Sequence, residues 1–181
     1  MKAVALTHYL PVEDAHAFLD VELPKPTALG SDLLVSVKAV SVNPVDTKVR
    51  SAKEGVEDPP RVLGWDASGI VEAIGPDVTL FKVGDEVYYA GDITRSGSNA
   101  EFQRVDERIV GLKPSSLSFA EAAALPLTTI TAYESFFDRL GIDRDGADTG
   151  RSILIIGAGG GVGSIGIQLV KAAGLVVIGT A

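Results

Sequence analysis

The segment from residue 157 to residue 163 is the clearest candidate for a ligand-binding turn, because five of its seven residues are glycine. Gly157, Gly160 and Gly163 recur at every third position, after an apolar run and before a segment with helical spacing. A glycine-rich turn between a parallel strand and a helix lets the backbone approach a pyrophosphate, and the helix N-terminus adds free N–H donors. The pattern predicts a dinucleotide site, although a tight turn without a ligand would also need glycines. The predicted contacts are Gly157, Gly160, Gly161, Val162 and Gly163.

The choice of cofactor is predicted from the position about 20 residues beyond the glycines, where an Asp or Glu usually binds the adenosine ribose. The sequence has Gly179, Thr180 and Ala181 in this region and no carboxylate. Because a neutral position does not repel a 2′-phosphate, NADPH is favoured over NADH. The groups that would hold this phosphate are expected beyond residue 181.

The apolar pattern predicts the strands and helices that surround this turn. Residues 152–157 form a continuous apolar run, as expected of a strand buried on both faces, and residues 162–174 have helical spacing. With a second apolar strand in 175–181, the sequence predicts a right-handed β-α-β unit with parallel strands. Upstream, Ser118 and Glu121 predict a helix with a capping box, and a further helix is predicted to end at Gly141.

The N-terminal part alternates short β-type runs with turns up to about residue 112. Segments rich in Gly, Pro and Asp, such as "EGVEDPP" at 54–60, are predicted to be turns. Strands at this spacing are typical of a barrel or sandwich. We therefore predict two domains, residues 1–125 and residues 126–181. The predicted strands of the first lie within 2–6, 32–42, 67–75, 86–91 and 101–112.

Composition excludes several classes of function. The 181 residues carry 16 basic and 24 acidic side chains, so the net charge of -8 would repel nucleic acid and anionic membranes. There is no cysteine, which excludes disulfides and thiolate metal sites. No apolar stretch reaches the roughly 18 residues that span a bilayer. We predict a soluble, cytoplasmic protein.

Five motifs carry a resemblance to a known family: "VKAVSVNPVDTKVR", "LGWDASGIVEAIGPDV", "FKVGDEV", "LPLTTITAYE" and "GAGGGVGSIGIQLVKAAG". The sequence resembles the medium-chain dehydrogenase/reductase superfamily, in its zinc-independent quinone oxidoreductase branch. This resemblance implies a β + α/β fold, in which a GroES-like β-barrel precedes a Rossmann domain and the nicotinamide lies between the two. Since the later Rossmann strands are missing, we expect a fragment that is not a competent enzyme alone.

The resemblance also predicts that the protein holds no catalytic metal. The metal-ligand positions of the zinc-dependent alcohol dehydrogenases of this superfamily fall on Val45, Trp65 and Leu127, and none of these side chains can bind zinc. His8 and His16 belong to no metal-spaced cluster. Without a Lewis acid a simple alcohol is a poor substrate, whereas a quinone or an α,β-unsaturated carbonyl spreads the charge that hydride brings.

The resemblance implies roles for a few side chains. Asn43 and Thr131 match positions that contact nicotinamide, although a turn and a helix-capping role are the alternatives. Asp46, Thr47 and Lys48 match the substrate cleft. Relatives often have Tyr at the position of Lys48. The Lys48 side chain could donate a hydrogen bond to the substrate or simply be solvated. The proton donor stays open between water, Lys48 and Thr47.

Trp65 is the remaining candidate, and it could stack on a flat acceptor or pack in the core. The hypothesis is thus NADPH-dependent hydride transfer to a quinone or enone by a homodimeric full-length protein. A zinc-dependent alcohol dehydrogenase and a non-catalytic, crystallin-like or scaffolding member of the fold are the alternatives.

Overall fold

The computed structural model describes residues 1–51 and 53–180 of the chain. They form two compact units, Met1–Pro126 and Leu127–Ala181, which are described separately below. Within the described residues, no helix is long and apolar enough to cross a membrane.

Unit 1 is built from antiparallel strands in two sheets. The first sheet has the order β2-β1-β4, with β1 at Lys2–Tyr9, β2 at Leu19–Glu22 and β4 at Lys53–Val62. The second has the order β7-β3-β5-β6-β8, with β3 at Asp32–Ser41, β5 at Asp66–Ile74, β6 at Glu86–Ala90, β7 at Phe102–Asp106 and β8 at Val110–Leu112. Alternate residues of these strands face one way and form a buried cluster. Its members include Leu33, Val35, Val71, Val87, Tyr89 and Val105.

Two short helices complete unit 1, α1 at Pro44–Arg50 and α2 at Phe119–Ala123, together with a single 3-10 turn at Glu107–Ile109. The predicted capping box of α2 is confirmed. The Glu121 N–H donates to the Ser118 hydroxyl at 3.3 Å, and the Ser118 N–H donates to the Glu121 carboxylate at 2.8 Å. Each side chain therefore satisfies a backbone donor that the helix leaves unpaired.

Strand β4 corrects the sequence analysis, which placed residues 54–60 in a turn. The segment contains Pro59 and Pro60 and yet pairs with β1, with Val62 opposite Ala5 and Val56 opposite His8. A proline cannot donate to a strand ladder, but β4 lies at the edge of its sheet, where one side of the backbone needs no strand partner. The prediction was wrong because Gly and Pro are compatible with a strand that lies at the edge of a sheet.

Unit 2 contains the predicted β-α-β unit. Strand β9 (Ser152–Ile155) pairs in parallel with β10 (Val176–Gly179), and α4 (Gly161–Ala172) connects them. Helix α3 (Pro126–Tyr133) continues as a π-helical turn at Glu134–Arg139 and ends at Gly141, whose φ of 67° is left-handed as predicted. The mixed fold class is confirmed.

The two parallel strands are buried on one face in this chain. One face packs on the helices, where Ile155, Val170 and Leu175 form a core with the rings of Phe136 and Phe137. The opposite face is exposed in this chain. Its large apolar side chains are Leu154, Ile156, Val176 and Ile178. The apolar run thus predicted a strand correctly, and burial of its second face stays a prediction.

Candidate functional site

The glycine turn of unit 2 links β9 to α4 with a backbone that only glycine permits at two points. Gly157 has a φ of 69°, which residues with a side chain rarely adopt. A Cβ atom on Gly163 would lie 2.6 Å from the Ala158 Cα atom, so α4 starts in close contact with the turn. No described atom lies within 4 Å of a Cβ placed on Gly157 or Gly159. The outer side of the turn is therefore open to a ligand.

Helix α4 presents its N-terminus at this turn. Gly160 is the N-cap and supplies no side-chain acceptor, and the first turn contains no acidic residue. The N–H groups of Gly161, Val162 and Gly163 have no acceptor within the helix, and the helix dipole adds partial positive charge there. This arrangement fits a diphosphate, because its donors are backbone groups that need no side chain to reach them.

Thr180 fixes the turn from the end of β10. The Ala158 N–H donates to the Thr180 carbonyl at 2.7 Å, and the Gly157 N–H donates to the Thr180 hydroxyl at 3.3 Å. The Thr180 N–H in turn donates to the Ile155 carbonyl at 3.0 Å. Sequence reasoning considered Thr180 only for cofactor choice and missed this role. Its signal was the parallel register, which places the ends of β9 and β10 side by side.

Helix α3 lies beside the start of α4 in unit 2. A Cβ atom on Gly161 would lie 3.1 Å from the Thr128 methyl group. One turn along α3, the exposed Thr131 hydroxyl donates to the Leu127 carbonyl at 2.8 Å. This is the helix-internal bond that the sequence analysis kept as an alternative. Because it uses the hydroxyl hydrogen, Thr131 can only accept a hydrogen bond from a ligand; its nicotinamide contact stays a prediction.

In unit 1 the start of α1 brings together three polar side chains. The Asn43 side-chain Nδ2 donates to Asp66 at 2.7 Å, and the Asn43 backbone N–H donates to Asp46 at 2.7 Å. Asn43 and Asp66 are buried. The sequence analysis named Asn43 and Asp46 but missed Asp66, which is 23 residues from Asn43 in the chain. The sequence offered no local signal for this pairing, because the burial that makes a carboxylate need a partner is seen only in the fold.

Beside this cluster, Asp46 and Thr47 line a cavity of about 420 Å³. Its apolar wall includes Phe18 and Val42. The Thr47 hydroxyl donates to the Pro44 carbonyl at 2.9 Å, and one carboxylate oxygen of Asp46 is buried without a partner among the described residues. The lining also contains the polar residues Ser41, Arg50 and Asn99. The arrangement therefore suits a small ligand with an apolar side and a polar side.

Lys48 does not line this cavity. Its side chain is exposed and forms no hydrogen bond or ion pair with any residue in 1–51 or 53–180. The structure thus brings Asp46 and Thr47 together and leaves Lys48 apart from them. The catalytic roles predicted for these three residues stay predictions.

Trp65 lies in an apolar cluster with Leu6, Tyr9 and Leu63, against which Val45 also packs. Its side chain is only 2% exposed, and its indole N–H donates to the Asp92 carbonyl at 3.1 Å. This is the placement expected of core packing. Stacking on a substrate would require movement of the surrounding side chains, and that role stays a prediction.

Two of the three positions that match zinc ligands therefore carry apolar groups in an apolar environment, because Val45 and Trp65 share one cluster. Across residues 1–51 and 53–180, no group of three or more His, Cys, Asp or Glu side chains is arranged to hold a metal ion. The donor chemistry of this region does not fit zinc.

Comparison with known proteins identifies the family. The alcohol dehydrogenase GroES-like domain matches residues 30–133. The chain belongs to this family. The resemblance to the medium-chain dehydrogenase/reductase superfamily is thereby confirmed.

Three members of this family illustrate the similarity. A zinc-type alcohol dehydrogenase-like protein of Staphylococcus aureus is 52% identical over 182 residues, covering 100% of this chain and 54% of that protein. The 2-methylene-furan-3-one reductase of Solanum lycopersicum is 42% identical, covering 94% of this chain and 44% of the reductase. The crystal structure of a zinc-dependent alcohol dehydrogenase-type protein from Rhizobium etli matches with a TM-score of 0.92 and 56% identity. The match covers 100% of this chain and 53% of the Rhizobium protein. The chain thus spans about half the length of the relatives that it matches.

Proposed function

We propose that this chain provides the GroES-like domain and the first part of the cofactor-binding domain of an NADPH-dependent reductase. The reductase transfers hydride to a quinone or an α,β-unsaturated carbonyl and uses no catalytic metal. The observation that carries this proposal is the apolar cluster of Val45 and Trp65 at the positions of zinc ligands. Apolar side chains at these positions cannot bind a Lewis acid, so the acceptor itself must stabilise the charge.

For the cofactor, the proposal assigns the diphosphate to the backbone of Gly157, Gly160, Gly161, Val162 and Gly163. The bound nicotinamide would supply the hydride. Asn43 and Thr131 would hydrogen-bond the carboxamide, with Thr131 as an acceptor because its own hydrogen is donated to Leu127. Thr180 at the end of β10 is neutral, which supports NADPH over NADH.

For the substrate, the proposal assigns the cavity at Asp46 and Thr47. Its apolar wall of Phe18 and Val42 suits a conjugated, flat acceptor rather than a small polar alcohol. The tomato relative supports an enone, because the name 2-methylene-furan-3-one describes a carbon–carbon double bond beside a ketone. The Thr47 hydroxyl already donates to Pro44, so the proton would come from water or from Lys48. Lys48 lies outside the cavity lining, and its exposed side chain would have to turn toward the substrate.

Anaerobic mixing of the full-length protein with NADPH and a panel of quinones, enones and simple alcohols tests the function. We expect loss of NADPH absorbance with quinones or enones. The rate of this loss should be the same before and after dialysis of the protein against a chelator. Oxidation no faster than in the alcohol and buffer controls would contradict the proposal. Stoichiometric zinc in a metal analysis would instead support the alcohol dehydrogenase alternative, and NADPH binding without turnover would support a crystallin-like or scaffolding role.

The proposal includes the assembly and location of the protein. We propose a cytoplasmic homodimer that binds neither nucleic acid nor membranes. The acidic composition, with a net charge of -8, supports the exclusion of polyanionic partners. Light scattering of the full-length protein measures the oligomeric state directly.

A further inference from the structure

A second cavity of unit 1, of about 830 Å³, shares no residue with the cavity at Asp46. Its walls combine apolar and cationic groups. The apolar groups come from Pro24 and Pro26 after β2, Pro59 and Pro60 of β4, and Phe102 of β7. The charged residues of the lining are Glu57, Arg61, Arg95, Arg104 and Met1, whose N-terminal ammonium donates to the Leu23 carbonyl. Three of the eight arginines of an acidic chain thus line one cavity.

Asp32 forms ion pairs with two of these arginines. Arg95 donates to both carboxylate oxygens of Asp32, at 3.0 and 2.9 Å, and the Arg104 Nε lies 3.1 Å from one of them. The Asp32 side chain is only 14% exposed, so this triad is partly screened from water. One carboxylate neutralises one of two guanidinium charges. A surplus positive charge therefore remains at the cavity wall.

Arg104 has unused donors. Its Nε lies 3.1 Å from an Asp32 oxygen, and neither of its terminal nitrogens donates a hydrogen bond to any residue described in this chain. The planar guanidinium matches a carboxylate with two parallel N–H donors, and the ion pair with Asp32 places it at the cavity wall. Arg61, by contrast, is engaged with the Tyr9 hydroxyl at 2.9 Å and with Glu57 at 3.5 Å.

The apolar wall determines the rest of the ligand. Phe102 and Arg104 are two residues apart on β7, so their side chains leave the same face of the strand. A ligand head group on Arg104 would place its body against Phe102 and the prolines. A compact inorganic anion would leave this wall in contact with water, whereas a cavity of this size accommodates a small organic molecule.

We propose that this cavity is a binding site for an amphipathic organic carboxylate, with its head group on Arg104 and Arg95 and its apolar body against Phe102 and the prolines. The site is separate from the proposed hydride-transfer site and does not depend on its activity.

Calorimetric titration of the full-length protein with octanoate and with octanol tests the proposal. The two probes share an alkyl chain and differ in charge. We expect octanoate to bind at least tenfold more tightly than octanol, because the charge-assisted bonds to Arg104 are available to octanoate alone. Equal affinities, or no octanoate binding, would overturn the proposal; the latter is the result expected if the rest of the protein fills the cavity.

Variants locate the binding. Arg104→Gln should weaken octanoate binding about tenfold and leave octanol binding unchanged. Arg108→Gln is the matched control, because Arg108 pairs with Asp106 and does not line the cavity. Octanoate affinity equal in the wild type and Arg104→Gln would contradict the assignment, as would an equal loss in Arg108→Gln.

Should Arg104→Gln fail to fold, as judged by its circular dichroism, Arg104→Lys gives the answer. Lysine keeps the positive charge beside Asp32 and loses the two-donor fork, so octanoate binding should weaken several-fold. Unchanged octanoate affinity in Arg104→Lys would contradict a head group on the Arg104 fork.

Discussion

The glycine turn of unit 2 and the start of α1 in unit 1 are built in opposite ways. The turn offers backbone N–H groups, which are accessible because most of its residues are glycine and have no side chain. The start of α1 offers side chains. The Asn43 side chain donates to Asp66, and the Asp46 side chain accepts from the Asn43 backbone N–H. The first needs close backbone approach, whereas the second needs particular side chains to meet from distant parts of the chain.

This difference decides how each region responds to change. A backbone-built site fails when a side chain is added, because there is no room or the φ value does not allow it. A site built from side chains fails when one is removed, because its buried partner loses a hydrogen bond. The two regions therefore call for opposite kinds of substitution.

Gly163→Ala should have the largest effect on stability. The new Cβ would lie 2.6 Å from the Ala158 Cα and the Gly157 carbonyl oxygen, so the backbone must move. We expect a loss of about 3 kcal/mol in the free energy of unfolding, measured in urea by circular dichroism. Gly159→Ala is the control, because no described atom lies within 4 Å of its Cβ position. Equal stability of the two variants would show that the turn is looser than the structure indicates.

Asp66→Ala makes the opposite test in unit 1. It removes the acceptor of the buried Asn43 amide, and leaving a buried donor unpaired costs about 2 kcal/mol. Asp66→Asn offers an acceptor again and should recover most of this loss in the same urea measurement. If Asp66→Ala proves as stable as the wild type, the Asn43–Asp66 bond does not organise the start of α1.

The same contrast explains what the sequence could reveal. The glycine turn, the Ser118 capping box and the Gly141 cap were predicted because each signal lies within a few neighbouring residues. The Asn43–Asp66 bond and the anchoring of the turn by Thr180 join residues 23 apart in sequence, and no local pattern specifies them. Strand β4 was missed for a related reason, because its prolines are permitted only by its edge position in the sheet.

Thr180→Val tests how much one side-chain hydroxyl contributes to the stability of the glycine turn. The change keeps the shape of the side chain and removes the hydroxyl that accepts from the Gly157 N–H at 3.3 Å. We expect a loss of about 1 kcal/mol, since one hydrogen bond is removed while the backbone bond from Ala158 to the Thr180 carbonyl remains. Thr180→Ser keeps the hydroxyl and should be close to the wild type in urea unfolding. A Thr180→Val variant with wild-type stability would mean that the backbone bonds alone hold the turn.

Lys48→Gln should have the smallest effect on stability and so separates folding from chemistry. The Lys48 side chain is exposed and has no partner among the described residues, so the free energy of unfolding should change by less than about 0.5 kcal/mol. If Lys48 protonates the acceptor, kcat of the full-length enzyme falls and KM is unchanged, because a proton delivered after binding contributes only to the reaction step. Lys48→Arg keeps the charge without a readily released proton and should fail to restore kcat. Equal kcat in all three proteins would assign the proton to water, and the start of α1 would then serve to bind the substrate rather than to protonate it.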